Sequence, residues 1–216
     1  MYDTQKQAVI DAALEIKAAE LIHLTGGNVS MRLENGSILV TPSGMPYETM
    51  TTDQILVLNP NGEVIEGTLR PSVDTVALIH IYKNMPTVNA IIHTHQPYAT
   101  AVGLIADELP AITTTLCNAC RGSVKVAPYS SPASLDMGKE TVDHIGDKLA
   151  IILKHHGVIA IGNNLAQALY SAIYLEDSAK CYLMACAAAG GAKNIRLLTE
   201  AQTQHAVEIF TDYGQK

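Results

Sequence analysis

The chain has 216 residues, 48% hydrophobic and only 16% charged, with a formal net charge of −7. That length suits one sizeable domain, or at most two small ones, and so low a charge content excludes general disorder. No Lys/Arg cluster gives nucleic-acid binding an electrostatic footprint, no apolar run reaches membrane-span length, and MYDTQKQ is no signal peptide, so a cytoplasmic protein is expected.

In chain order, residues 3–23 have helical spacing of Ala8, Ala12, Leu14 and Ile16 to Leu21 among Gln, Lys and Glu. Gly26-Gly27-Asn28 breaks the helix. Val29 to Leu33 alternates weakly, Asn35-Gly36 is a hairpin turn signal, and Ser37 to Thr41 is the returning strand. Ile55 to Leu58 is another strand, Asn59-Pro60-Asn61-Gly62 a turn, and Val64-Ile65 the start of a short strand. This first third reads as a twisted antiparallel sheet following one helix. The pattern then alternates: a helix over 73–84, a strand running through Val88 to His95, a helix over 97–106 and a strand over 123–126. A helix over 134–148, strands over 150–154 and 158–161, a long helix over 165–188 and a last helix over 199–212 complete the chain. One α/β domain spanning residues 1–216, with a largely antiparallel sheet between helices, accounts for this order.

The chemistry concentrates in a few short stretches. In AIIHTHQPYAT, successive strand side chains point to opposite faces, so His93 and His95 share one face and Thr94 takes the other. Paired imidazoles are poor core material, because each neutral ring needs both a donor and an acceptor, but they are good metal ligands. The alternative is two separately hydrogen-bonded histidines at a strand end. In KHHGVIAIG, His155 and His156 end a strand before a glycine turn, and only one of them can join His93 and His95; a turn-flanking polar pair is the alternative there. In RPSVDT, Ser72 reads as a helix N-cap and places Asp74 in the first turn. There it can supply a carboxylate ligand or simply complement the helix dipole. Gly26-Gly27-Asn28, Ser43-Gly44 and Ser72 lie where backbone N–H groups can be free for an anion. Cys117-x-x-Cys120 invites a zinc or redox reading, but Cys181 and Cys186 sit in an alanine-rich helical pattern, as buried small residues do, so free thiols are expected.

TGGNVS, TPSGMPYE, RPSVDT, HTHQPYATA and KHHGVIA occur in the order typical of the class II aldolases. From Gln7 to Tyr213 the chain resembles that family of zinc-dependent sugar-phosphate aldolases and epimerases. The resemblance implies a mainly antiparallel sheet flanked by helices on both faces, usually in a homotetramer with active sites at subunit interfaces. It implies Zn2+ bound by His93, His95, His156 and Asp74, with Asp74 able to leave the metal and exchange protons. It further implies a small phosphorylated sugar as substrate, with its phosphate among Gly27, Asn28, Ser43, Gly44 and Ser72. Tyr213 matches a functional tyrosine near the family's C-terminus. The implied activity is retro-aldol cleavage of a ketose 1-phosphate, L-fuculose 1-phosphate or a related deoxy-ketose phosphate, to dihydroxyacetone phosphate and a short aldehyde. Three positions depart from the pattern. Thr114 stands where the fuculose-phosphate aldolases have a catalytic tyrosine, Asn118 near where the 4-epimerases have an aspartate, and Val73 where a phosphate-binding serine is usual. An amide cannot act as a general base, which argues against epimerisation. The same scaffold also supports dehydratases, decarboxylases and a non-catalytic binding domain that lacks the metal site.

Overall fold

The computed structural model describes residues 2–209. Its helices are α1 (Asp3–Ala18), α2 (Thr75–Asn84), α3 (Pro97–Ile105), α4 (Thr114–Cys120), α5 (Leu135–Ile145), α6 (Leu165–Ala189) and α7 (Glu200–Glu208). Its strands are β1 (Asn28–Arg32), β2 (Ile38–Val40), β3 (Leu56–Leu58), β4 (Val64–Glu66), β5 (Ala90–Thr94), β6 (Glu108–Leu109), β7 (Val124–Ala127), β8 (Ala150–Leu153) and β9 (Gly157–Gly162). They form one sheet in the order β4-β3-β2-β1-β5-β9-β8-β7-β6. Every pairing is antiparallel except β7 with β8, which are joined through α5, the kind of crossover a parallel pair needs.

Strand alternation sorts the core into two layers. Ala90 and Ile92 of β5, Val158 and Ala160 of β9, and Ile152 of β8 pack with apolar side chains of α1, α3, α4 and α6. Ile91, Ile159, Ile161, Ile151 and Leu153 face the other way, onto α2 and α5. A sheet buried on both faces therefore reads as near-continuous runs of Val, Ile, Leu and Ala. His93 follows Ile91 at a spacing of two and belongs to the α2/α5 side.

Some boundaries differ from the sequence expectation. Helix α1 stops at Ala18 rather than residue 23. Leu21 N–H bonds the Ile16 carbonyl and Glu20 N–H the Lys17 carbonyl, with Glu20 left-handed at φ 59°. This is a Schellman stop with glutamate in the place glycine normally takes, so no glycine announced it. Helix α4 and the short β6 lie in a stretch where no element was expected. Thr113 caps α4, its Oγ1 accepting from Leu116 N–H at 3.2 Å, and the helix ends on left-handed Arg121, again without glycine at the stop. The β-branched run Thr113 to Thr115 hides this helix start from a propensity reading. Helix α5 ends at Ile145, where Gly146 takes φ 61°, not at residue 148. Residue 74, not residue 72, is the N-cap position of α2.

Candidate metal centre

One end of the sheet collects the site. Asn28 opens β1 and pairs with His93 near the close of β5, while the turn between β8 and β9 brings His156 beside them. His93 is fully buried, and its Nδ1 lies 2.8 Å from the Val158 carbonyl. A carbonyl only accepts, so Nδ1 carries the proton and Nε2 presents a lone pair. That Nε2 is 3.1 Å from His95 Nε2. The three rings of His93, His95 and His156 lie with centroids 4.8–5.2 Å apart. One ligand nitrogen from each falls within 4.8 Å of the other two. His156 Nδ1 is buried without a hydrogen-bond partner among the described residues.

Desolvation disfavours the protonated form of all three imidazoles, although only His93 is fully buried and His95 is partly exposed. It pushes His93 down to about 3, helped by its two histidine neighbours, and it lowers His95 and His156 as well. Three neutral rings with converging nitrogens, one of them orphaned, fit a metal ion better than they fit a packed core. Nitrogen donors of this kind suit zinc among the common divalent ions.

Asp74 stands at the edge of this cluster, its Oδ2 3.8 Å from His93 Nε2. It is buried and engaged elsewhere: Oδ2 accepts from Asn28 Nδ2 at 2.9 Å and Oδ1 from the backbone N–H of Ala133 at 3.2 Å. Of the four ligands expected, the structure gathers the three histidines and sets the carboxylate beside them. Ala133, in the loop between β7 and α5, had no sequence signal; it takes φ 55°, a conformation costly for a residue with a Cβ.

The segments expected to line a phosphate are brought together, though several of their donors are spent. Pro42 and Pro71 form an isolated bridge, with Ser43 N–H on the Arg70 carbonyl and Ser72 N–H on the Thr41 carbonyl. The expectation that these two N–H groups are free is therefore corrected, because they zip two loops together. Asn28 likewise gives a side-chain amide proton to Asp74, and its buried Oδ1 has no partner among the described residues. Gly44 takes φ 70° and faces open space. Gly27, at φ 92°, is required by close approach, since a Cβ there would fall 2.5 Å from the His93 carbonyl oxygen. The buried Tyr47, which the sequence reading did not single out, donates its hydroxyl proton to the Gly27 carbonyl at 3.0 Å and fixes that loop.

His155 points away from the cluster toward Tyr129. The cysteines are all free, Cys117 and Cys120 are buried on α4, and among the described residues no cysteine joins the metal-ligating group. Tyr213 lies outside the described residues. Also among the described residues, no helix is long and apolar enough to cross a membrane.

The chain is similar to known proteins along nearly its whole length. Residues 7–183 match the family described as class II aldolase and adducin N-terminal domain. The chain is 32% identical over 206 residues to the L-fuculose phosphate aldolase of Escherichia coli (strain K12), covering 95% of this chain and 94% of the relative. It is 30% identical over 216 residues to a 5-deoxy-D-ribulose 1-phosphate aldolase of Bacillus thuringiensis serovar kurstaki, covering 98% of each. A solved L-fuculose 1-phosphate aldolase superposes with a TM-score of 0.90 at 26% identity over 97% of both chains.

Proposed function

Since this chain belongs to the class II aldolase and adducin N-terminal domain family, we propose that it is a zinc-dependent lyase cleaving a ketose 1-phosphate to dihydroxyacetone phosphate and a short aldehyde. The observation that carries this reading is the cluster of His93, His95 and His156 with the buried Asp74 carboxylate at its edge. The two aldolase relatives supply the substrate class. L-Fuculose 1-phosphate and 5-deoxy-D-ribulose 1-phosphate share the C1–C3 fragment and a deoxygenated far end, and differ in the aldehyde they release.

His93, His95 and His156 would hold the ion, which when bound supplies a Lewis acid for the negative charge that develops as the bond breaks. In the cleavage the C4 hydroxyl loses its proton, the C3–C4 bond breaks, C4 becomes the aldehyde carbon and C3 regains a proton. Asp74, held by Asn28 and Ala133 beside the ligand cluster, would give a proton to C3 in cleavage and take one from it in the reverse direction. Thr114 cannot replace a phenol as an acid, and Tyr213 is the remaining candidate for the proton at the aldehyde end. The phosphate would sit among Gly27, Asn28, Ser43, Gly44 and Ser72, with the two serine hydroxyls and open Gly44 supplying the approach. The protein would work in the cytoplasm as a homotetramer. Exposed apolar side chains such as Leu24, Val73, Leu104 and Ile105 support an assembly that covers them.

The direct test incubates zinc-loaded protein with each of the two sugar phosphates and follows dihydroxyacetone phosphate through an NADH-consuming reductase, with a chelated sample alongside. Release that the chelator abolishes is expected. Metal-loaded protein that releases nothing from either sugar overturns the aldolase reading.

A further inference from the structure

His93 and His95 are neighbours on one strand, yet they are held by different means. His93 is oriented by the Val158 carbonyl on its outer nitrogen. His95 has no such acceptor among the described residues; its only hydrogen-bond contact is with His93 itself. Its ring instead lies between two glycine backbones, since a Cβ added at Gly26 would fall 3.0 Å from its Nδ1 and one at Gly157 3.1 Å from its Cδ2. The placement of His95 therefore depends on where the backbone of residues 94–99 is fixed.

A buried polar group fixes it. Thr94 Oγ1 donates to Gln96 Oε1 at 2.5 Å, and Gln96 Nε2 donates to the Ala172 carbonyl of α6 at 3.1 Å. One turn further along α6, the Glu176 carboxylate accepts from Tyr98 N–H at 2.8 Å and from Ala99 N–H at 2.9 Å, the first amides of α3. We infer that Glu176 and Gln96 are positioning residues for the metal ligand His95, clamping the junction of β5 and α3 to α6.

A helix cap alone does not account for the arrangement. A Ser or Asp at position 96 would satisfy the same amides locally. Instead residue 96 makes no side-chain cap bond, and the acceptor comes from another element at the expense of burying a carboxylate. Burial raises that carboxyl above its ordinary range in spite of its amide donors. A cap borrowed from α6 adds a constraint that a local cap lacks, because it ties residues 94–99 to a helix that packs against β5, β8 and β9.

The inference rests on the reading of the three histidines as a metal site, and the experiment separates the two. Cobalt(II) and zinc(II) affinities, and the visible spectrum of the cobalt protein, are measured for the parent, Glu176→Gln, Glu176→Ala and Gln96→Ala. The control is Asn164→Ala, which removes the side-chain cap of α6 at Gln167 N–H, outside this hydrogen-bonded group. All are read at a temperature where melting curves show the protein folded. Weakened metal affinity of about 10- to 100-fold is expected for Glu176→Ala and Gln96→Ala, with an altered cobalt spectrum and a smaller loss for Glu176→Gln. Asn164→Ala should lower the melting temperature without moving affinity or spectrum. Folded Glu176 and Gln96 variants that bind both ions as the parent does, with the parent spectrum, reduce Glu176 to a helix cap and overturn the inference. If Glu176→Ala does not fold, Glu176→Gln and Gln96→Ala decide. A parent that takes up no metal overturns this inference and the metal reading together, whereas a metal-loaded parent without aldolase activity overturns only the proposed function.

Discussion

His93 and His156 have the same proposed role but different surroundings, and their alanine variants should differ accordingly. His93 is fully buried and donates to the Val158 carbonyl. Its removal leaves a void and an unpaired acceptor, together costing roughly 2–4 kcal/mol. His156 stands in the turn between β8 and β9, and its Nδ1 is already without a partner among the described residues. His156→Ala should cost only about 1 kcal/mol in the metal-free protein, because the half-buried ring gives up ring contacts with His93 and His95 but no hydrogen bond of its own. Urea unfolding of both metal-free variants checks this difference, and elemental analysis should find metal well below one ion per chain in each. Equal destabilisation would contradict the burial argument. At this scale the sequence was informative about identity: the H-x-H spacing and strand alternation put His93 and His95 on one face. It was silent on Ala133, Gln96 and Glu176, because a backbone amide in a loop and a glutamate 81 residues away carry no pattern that ties them to His95.

Among the elements, the pairing of β5 with β9 is the feature on which the site most depends. Gly157 opens β9 directly after His156, and a Cβ there would fall 2.1 Å from the Thr94 carbonyl oxygen, a backbone atom that cannot rotate away. Gly157→Ala should therefore force the β8–β9 turn off β5, costing at least about 2 kcal/mol of stability by the mechanism of overpacking, and weaken metal binding with it. Thermal melts and zinc titration measure both effects; a variant matching the parent in both would show that the turn can shift freely. Long periodic elements such as α6 and the apolar strands were legible because burial on one or both faces imposes a repeat. The end of α1 and the whole of α4 were not. Their stops use Glu20 and Arg121 in the left-handed region, where the expected signal is glycine, and tertiary contacts hold what local preference does not.

For the whole molecule, light scattering of the purified protein should report the mass of four chains, as the homotetramer reading requires; a monomer at micromolar concentration would contradict it. The amino-acid sequence by itself determined the fold class and a sheet packed between helices, and it offered the histidines that the structure gathers into a cluster. Each of these follows from local periodicity and from the few side chains able to ligate an ion. Only the tertiary structure decided that Asp74 rests on Asn28 and Ala133 beside the histidines rather than among them. It also decided that the N–H groups of Ser43 and Ser72 are spent in joining two loops, and that α6 reaches across to hold the end of β5. Those outcomes depend on which donors meet which acceptors once distant segments pack, and a one-dimensional pattern fixes the supply of such groups but not their pairing.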